Sequence, residues 1–169
     1  MRNASTGTRL RAWLLRTFRG RSAAEAGWTD DLPVSAGPPR SFVLSDLRID
    51  VTPKGLKSAG ANDPSMVYEV RVGRASDPRA WSSSYGFPPR DASARRAADA
   101  ALDELAEIAL DRDRWWQRVT EGMSEEEAEA MEDSPATRLD QRAAEWVGPE
   151  LEPWREQRSA TGSWLPGEA

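Results

Sequence analysis

Two stretches of the chain alternate apolar and polar residues with a period of two. In Ser41–Val51, Val43, Leu47, Ile49 and Val51 share one parity and Asp46, Arg48 and Asp50 the other. In Met66–Arg74, Met66, Tyr68, Val70 and Val72 oppose Glu69 and Arg71. Each pattern predicts a strand with one buried and one wet face. Pro53-Lys54-Gly55 signals a turn between them, followed by a loop through Gly60, Asn62, Asp63 and Pro64. Ala80–Phe87, with Trp81, Ser83, Tyr85 and Phe87 on one face, predicts a shorter third strand. After Pro88-Pro89-Arg90 the period changes. Ala94, Ala98, Ala101, Leu102, Leu105, Ile108 and Ala109 form a helical stripe that Asp91 or Ser93 can cap, continuing through Trp115, Trp116 and Val119 to Gly122. The expectation is an α+β fold: a small antiparallel sheet of about three strands covered by one long Ala-rich helix, over residues 41–122.

The flanks read differently. Residues 1–21 hold six arginines and no acid, with Leu10, Leu14 and Phe18 every four residues and Trp13 beside them, which predicts a basic amphipathic arm. Three roles suit it: docking on the chain's own core, lying on a membrane surface, or gripping nucleic-acid phosphates. Residues 22–40, broken by Gly27, Pro33, Gly37, Pro38 and Pro39, read as a linker. In 123–169, Ser124-Glu125-Glu126-Glu127 is a capping box starting an acidic helix to about Met131, and Ala136–Trp146 reads as a second helix. Beyond Gly148-Pro149, Leu151, Pro153, Trp154, Trp164, Leu165 and Pro166 among polar residues suggest a linear interaction segment. The acidic tail is expected to be mostly helical or disordered.

Charge follows the same division. Residues 1–40 carry seven arginines against three acids, 41–120 balance at twelve each, and 121–169 carry four arginines against thirteen acids, for a net charge of −5. Basic and acidic ends invite partners, and also keep loosely packed ends soluble. Only Lys54 and Lys57 interrupt an all-arginine basic set, a codon bias pointing to a GC-rich bacterium or its phage. Without cysteine or histidine, the chain has no disulfides, thiolate zinc sites, cysteine nucleophiles, Ser-His-Asp triads or imidazole bases. No long apolar run marks a membrane span and no apolar leader core marks export, so a cytoplasmic location is expected.

Little catalytic chemistry remains. Asp46, Asp50 and Glu69 could hold a hard cation or act as an acid–base pair, but Asp-x-Arg-x-Asp is also what a solvated strand face looks like. Asp111 and Asp113, two apart on a helix, do not face each other. No phosphate-binding, dinucleotide-binding or nucleophile-elbow glycine motif occurs. No catalytic residue, metal or cofactor is therefore assigned, and no small-molecule substrate is expected.

Ala97-Ala98-Asp99-Ala100-Ala101-Leu102-Asp103-Glu104-Leu105, following the three strands, is similar to the A-A-x-x-A-L-x-x-L of the second helix of the double-stranded-RNA-binding domain. The resemblance covers Ala80–Leu105. It implies a helix laid on an antiparallel sheet, with RNA phosphates gripped at the helix start. There this chain has Asp91, Ala92 and Ala94 in place of the lysine cluster, with Arg90, Arg95 and Arg96 nearby.

The leading expectation is a non-enzymatic protein-binding or adaptor protein whose tail offers Trp146, Leu151, Trp154 and Trp164 as anchors, since tryptophan is a favoured interface residue. The alternative is a nucleic-acid-binding module using Arg9, Arg11, Arg16, Arg19 and Arg21 with Arg90, Arg95 and Arg96. On the first reading, removing residues 147–169 abolishes partner capture and leaves the fold intact.

Overall fold

The computed structural model describes residues 37–58 and 64–167. Strands β1 (Arg40–Leu44), β2 (Leu47–Ser58), β3 (Pro64–Arg74) and β4 (Asp77–Phe87) form an antiparallel sheet in the order β1-β2-β3-β4. The fold is α+β, with four strands where about three were expected. The extra strand arises because Ser41–Val51 folds as a hairpin. Leu44 pairs with Leu47 across a two-residue turn, with Ser45 at φ 52°. Short polar residues tolerate such a turn, and cross-strand partners share a face, so Leu44 and Leu47 are both buried while Val43 is 67% exposed. Asp46 thus sits in the turn rather than on a strand face. Its carboxylate accepts from the Ser76 hydroxyl at 3.0 Å and its carbonyl from Ala75 N–H at 3.1 Å, tying two neighbouring turns together.

Pro53-Lys54-Gly55 is likewise not the end of a strand. The β2–β3 register shifts between Pro53 and Gly55, and Gly55 has φ 110°, so the segment is a bulge within β2. A bulge accommodates a proline, which has no N–H to donate to the ladder, and a glycine at positive φ.

Ile49 and Val51 of β2, Met66, Tyr68, Val70 and Val72 of β3, and Trp81, Ser83, Tyr85 and Phe87 of β4 point to one buried face. Helix α1 (Ala94–Leu110) lies over it, capped by the Ser93 hydroxyl accepting from Arg96 N–H. Ala97, Ala98, Ala101, Leu102 and Leu105 are fully buried, and the small side chains let the helix approach the strands closely. The expected helix to Gly122 is divided. Asp111 leaves helical geometry (φ −145°, ψ 58°) and α2 (Arg112–Thr120) starts a new direction. The division lets Trp115 fold back onto Ile108 and Ala144, which a straight continuation of α1 would carry past the sheet.

Helix α3 (Glu125–Glu132) has the expected capping box between Ser124 and Glu127. Helix α4 (Pro135–Leu151) runs past the anticipated end at Trp146 and through Gly148-Pro149, because Val147, Gly148 and Leu151 all face the interior. Packing there outweighs the poor helix propensity of two residues. A 3₁₀ turn (Glu152–Trp154) leads to α5 (Arg155–Thr161), which Gly162 ends in the left-handed conformation. Ala143, Val147, Leu151, Trp164 and Leu165 belong to the same core as Ile49, Val70 and Leu102. Residues on both sides of 122/123 thus contribute to one packed core. Among the described residues no helix is long and apolar enough to cross a membrane. The basic arm 1–21 and most of the 22–40 linker lie outside the described residues.

The sheet face turned away from α1 carries Arg48, Asp50, Lys54, Glu69 and Arg71. Lys54 pairs with Glu69 at 2.7 Å and Arg48 with Asp50 at 2.9 Å, and the Ser41 hydroxyl also donates to Asp50. Burial alone would raise the Asp50 carboxyl. The hydrogen bonds from Ser41 and Arg48, with the charges of Arg48 and Arg71, outweigh it and hold the group below its ordinary 3.8. A carboxyl lowered on folding stabilises the chain above its unfolded value, and that contribution is lost as pH falls through the folded one. Asp50→Asn should therefore reduce the loss of melting temperature between pH about 5 and about 2.5, read by circular dichroism. An unchanged acid limb would show that these bonds do not persist in solution.

A second prediction concerns the contact of α1 with α4. A Cβ on Gly148 would lie 2.8 Å from the Ala109 Cβ. Gly148→Ala should lower the denaturant midpoint, because overpacking costs about 1–3 kcal/mol. That exceeds the roughly 1 kcal/mol that alanine gains over glycine within a helix. A raised midpoint would mean the two helices are not in close contact.

Candidate protein-binding site

The four residues expected to anchor a partner all turn inward. Leu151 is fully buried and Trp164 is 4% exposed, while Trp146 and Trp154 are half-buried against the same core. The Trp154 indole N–H donates to Ser45 Oγ at 3.1 Å, so the tail reaches back to the first hairpin. Nearby in sequence, Glu150 pairs with Arg74 at 2.8 Å, and Arg74 in turn lies 3.7 Å from Asp46. The four side chains do not form one exposed patch.

Instead, Ser163–Pro166 is held against α1 by three side chains four residues apart. The Asp99 carboxylate accepts from Trp164 N–H at 2.8 Å and from Ser163 Oγ at 3.0 Å. Asp103 accepts from the Trp164 indole N–H at 2.8 Å, and Arg158 of α5 grips it with two bonds at 2.8 and 2.7 Å. Arg95 donates to the carbonyls of Leu165 at 2.6 Å and Pro166 at 2.9 Å. The Gln157 side chain donates to the Trp164 carbonyl at 3.1 Å. Residues at i, i+4 and i+8 lie along one line of a helix, so Arg95, Asp99 and Asp103 form a row. Hydrogen bonding to Asp103 raises the Arg158 guanidinium above its usual value and outweighs partial burial, which acts the other way. Such charge-assisted, two-pronged pairs are the strong members of their class.

Charge alone groups Arg95 with Arg90 and Arg96, and that grouping hides the row. The signal available in the sequence is the spacing of 95, 99 and 103 along α1. The three arginines do not act together. Arg95 serves the tail. Arg96 lies 5.1 Å from the Phe87 ring centroid and donates to the Asp91 carbonyl, and Arg90 projects outward with Asp91 Oδ2 at 3.7 Å. Arg9, Arg11, Arg16, Arg19 and Arg21 lie outside the described residues. Asp46, Asp50 and Glu69 are divided between a turn and two ion pairs, and among the described residues no group of three or more acidic side chains could hold a metal.

Two other features adjoin α1. An open groove of about 660 Å³ runs alongside the contact of its C-terminal end with α4, with Ile108, Leu110, Ala144 and Pro149 among its apolar lining and Arg112, Glu145, Glu152 and Arg155 among its charged lining. A polar seam joins β4 to the helices. The Trp81 indole N–H donates to buried Asp140 at 2.8 Å, the Tyr85 hydroxyl donates to Glu104, and the buried Ser83 hydroxyl has no hydrogen-bond partner among the described residues.

Asp103→Ala leaves both the Trp164 indole and the Arg158 guanidinium without an acceptor. It should cost about 1–3 kcal/mol in urea unfolding, more than Arg158→Ala, which removes one partner of the pair and leaves the indole bond. Equal costs for the two variants would show that the indole bond contributes nothing. Compared with known proteins, this chain matches no protein family, no curated protein and no solved structure.

Proposed function

We propose that this chain is a non-enzymatic protein-binding or adaptor protein, and that the face of α1 on which Ser163–Pro166 lies is its recognition surface. The observation that supports this reading is the way Ser163–Pro166 is held. Side chains of one helix bind the backbone N–H and carbonyl groups of successive residues while Trp164 and Leu165 sink into the core. Backbone bonding combined with pockets for side chains is how folded domains take extended peptides. On this reading Trp164 marks the place of an anchoring tryptophan, with the chain's own helix as its present partner.

Deleting residues 147–169 is not a usable test. It would remove Val147, Leu151, Trp164 and Leu165 from the core, each contributing about 1.5–3 kcal/mol by burial. Their sum is comparable to the roughly 5–15 kcal/mol by which a domain is stable. A point variant is the better probe. Tagged full-length protein should capture a stoichiometric protein from bacterial lysate with and without nuclease, and Asp99→Ala should reduce recovery at least about fivefold. Capture that disappears with nuclease would transfer the function to nucleic acid. Capture of nothing, by a protein shown to be folded, would remove the reading altogether.

A further inference from the structure

We propose that the Arg95-Asp99-Asp103 row of α1 is a peptide-recognition slot for a segment of another protein that carries tryptophan followed by an aliphatic residue, and that Ser163–Pro166 is a competing occupant that must leave before the segment enters. The inference rests on the protein-binding reading and adds the chemistry of the partner and the regulation of the site.

Three observations carry it. First, the contacts are made largely to backbone: Asp99 to the Trp164 N–H, Arg95 to the Leu165 and Pro166 carbonyls. An incoming segment of different sequence can supply the same groups. Second, the two side chains that must match are defined. The indole N–H finds a carboxylate at 2.8 Å while its ring is buried, and the next residue, Leu165, is 2% exposed. A tryptophan fits a pocket with an acceptor at its edge, and an aliphatic neighbour fits the core it shares with Ala94, Ala97 and Ala98. Third, the present occupant joins the fold through α5, which has no buried residue of its own. The segment is therefore held chiefly by the polar clamp and two apolar side chains. A bound segment in cis lowers the apparent affinity for one in trans by the fraction of time the slot is open.

Side chains on the tail and on the slot can be separated, which makes the proposal testable in the full chain. Arg158→Ala with Ser163→Ala weakens the cis segment and leaves every α1 side chain in place. Asp99→Ala also loosens the segment but damages the slot. A fluorescein-labelled synthetic peptide spanning residues 161–167 is titrated into each, with anisotropy as the readout and thermal melts to confirm folding. The loosened variant should bind saturably and about tenfold more tightly than the unaltered chain, and Asp99→Ala at least about tenfold more weakly than the loosened variant. A peptide with its tryptophan replaced by alanine should not compete. If the double variant fails to fold, the unaltered chain titrated to high peptide concentration takes its place, and saturable, tryptophan-dependent binding is again the expected result.

Absence of saturable binding to the unaltered and loosened chains, or binding by Asp99→Ala equal to that of the loosened variant, would overturn the proposal. So would dimerisation of the loosened variant without entry of the peptide, which would assign the slot to a second copy of the chain. If the lysate experiment yields a partner and the peptide still does not bind, only the slot is lost and the protein-binding reading stands.

Discussion

Everything in this structure depends on how closely α1 can be approached. Its first half is built from alanines, four of them facing the sheet or the tail from fully or nearly fully buried positions (Ala94, Ala97, Ala98 and Ala101). Small side chains bring the helix axis near the strands, and a protein interior packed to crystal density transmits any change in that spacing to its neighbours. The remaining faces of the same helix are also engaged. Asp99 and Asp103 hold the C-terminal segment, Glu104 accepts from Tyr85 of the edge strand, Glu107 pairs with Arg118 of α2, and Ala109 meets Gly148 of α4. A helix contacted on all sides is ordinarily apolar all round. Here its polar positions are matched one by one with partners from different elements, and that is what lets a chain with 38% apolar and 30% charged residues build a core.

The matching has a consequence for the tail. Its acidic composition and its tryptophans suggest a segment held away from the body of the protein, yet the carboxylates that anchor it belong to α1 and the cations come from both sides. Arg158 of the tail meets Asp103, and Arg95 of the helix meets tail carbonyls. Exposed ion pairs taken singly contribute little. This set is different because Asp103 also satisfies the indole of a buried tryptophan, so losing the carboxylate also strips a buried donor of its acceptor. The polar clamp thus sets the geometry, and the apolar burial of Trp164 and Leu165 supplies most of the stabilisation.

The parts of the fold legible in the sequence are those whose signal is periodic. The period of two in Met66–Arg74 and the stripe of α1 from Ala94 to Leu105 depend only on which face is buried, and both appear where the pattern puts them. The capping box at Ser124 is legible because it is a local exchange of two hydrogen bonds. What escapes is decided by contacts distant in sequence. The alternation through Val43 and Leu47 conceals a two-residue turn, since reversal of the chain between them puts Leu44 instead of Val43 on the buried face with Leu47. Gly148-Pro149 reads as a helix end, and only the interior packing of Val147, Gly148 and Leu151 explains why the helix continues. At the candidate site, tryptophan as an anchor is legible but its partner is not, because the row 95, 99, 103 gains meaning only when the tail lies across it.

On the proposed reading, this clamp of one helix row and one extended segment is a two-state element in the sense that regulation requires. The segment can lie in place, with its backbone groups and indole satisfied, or leave, exposing two apolar side chains and the part of the core they cover. The second state is costly in water, so the population is strongly biased toward the first unless something else covers that surface. A ligand shifts such an equilibrium only by the difference in its affinity for the two states. A segment that fits the slot binds the open state alone, and its whole binding free energy acts on the shift. On that reading, the buried Trp164 indole and the three charged residues of the row make the docked tail the point at which an incoming segment acts on this fold.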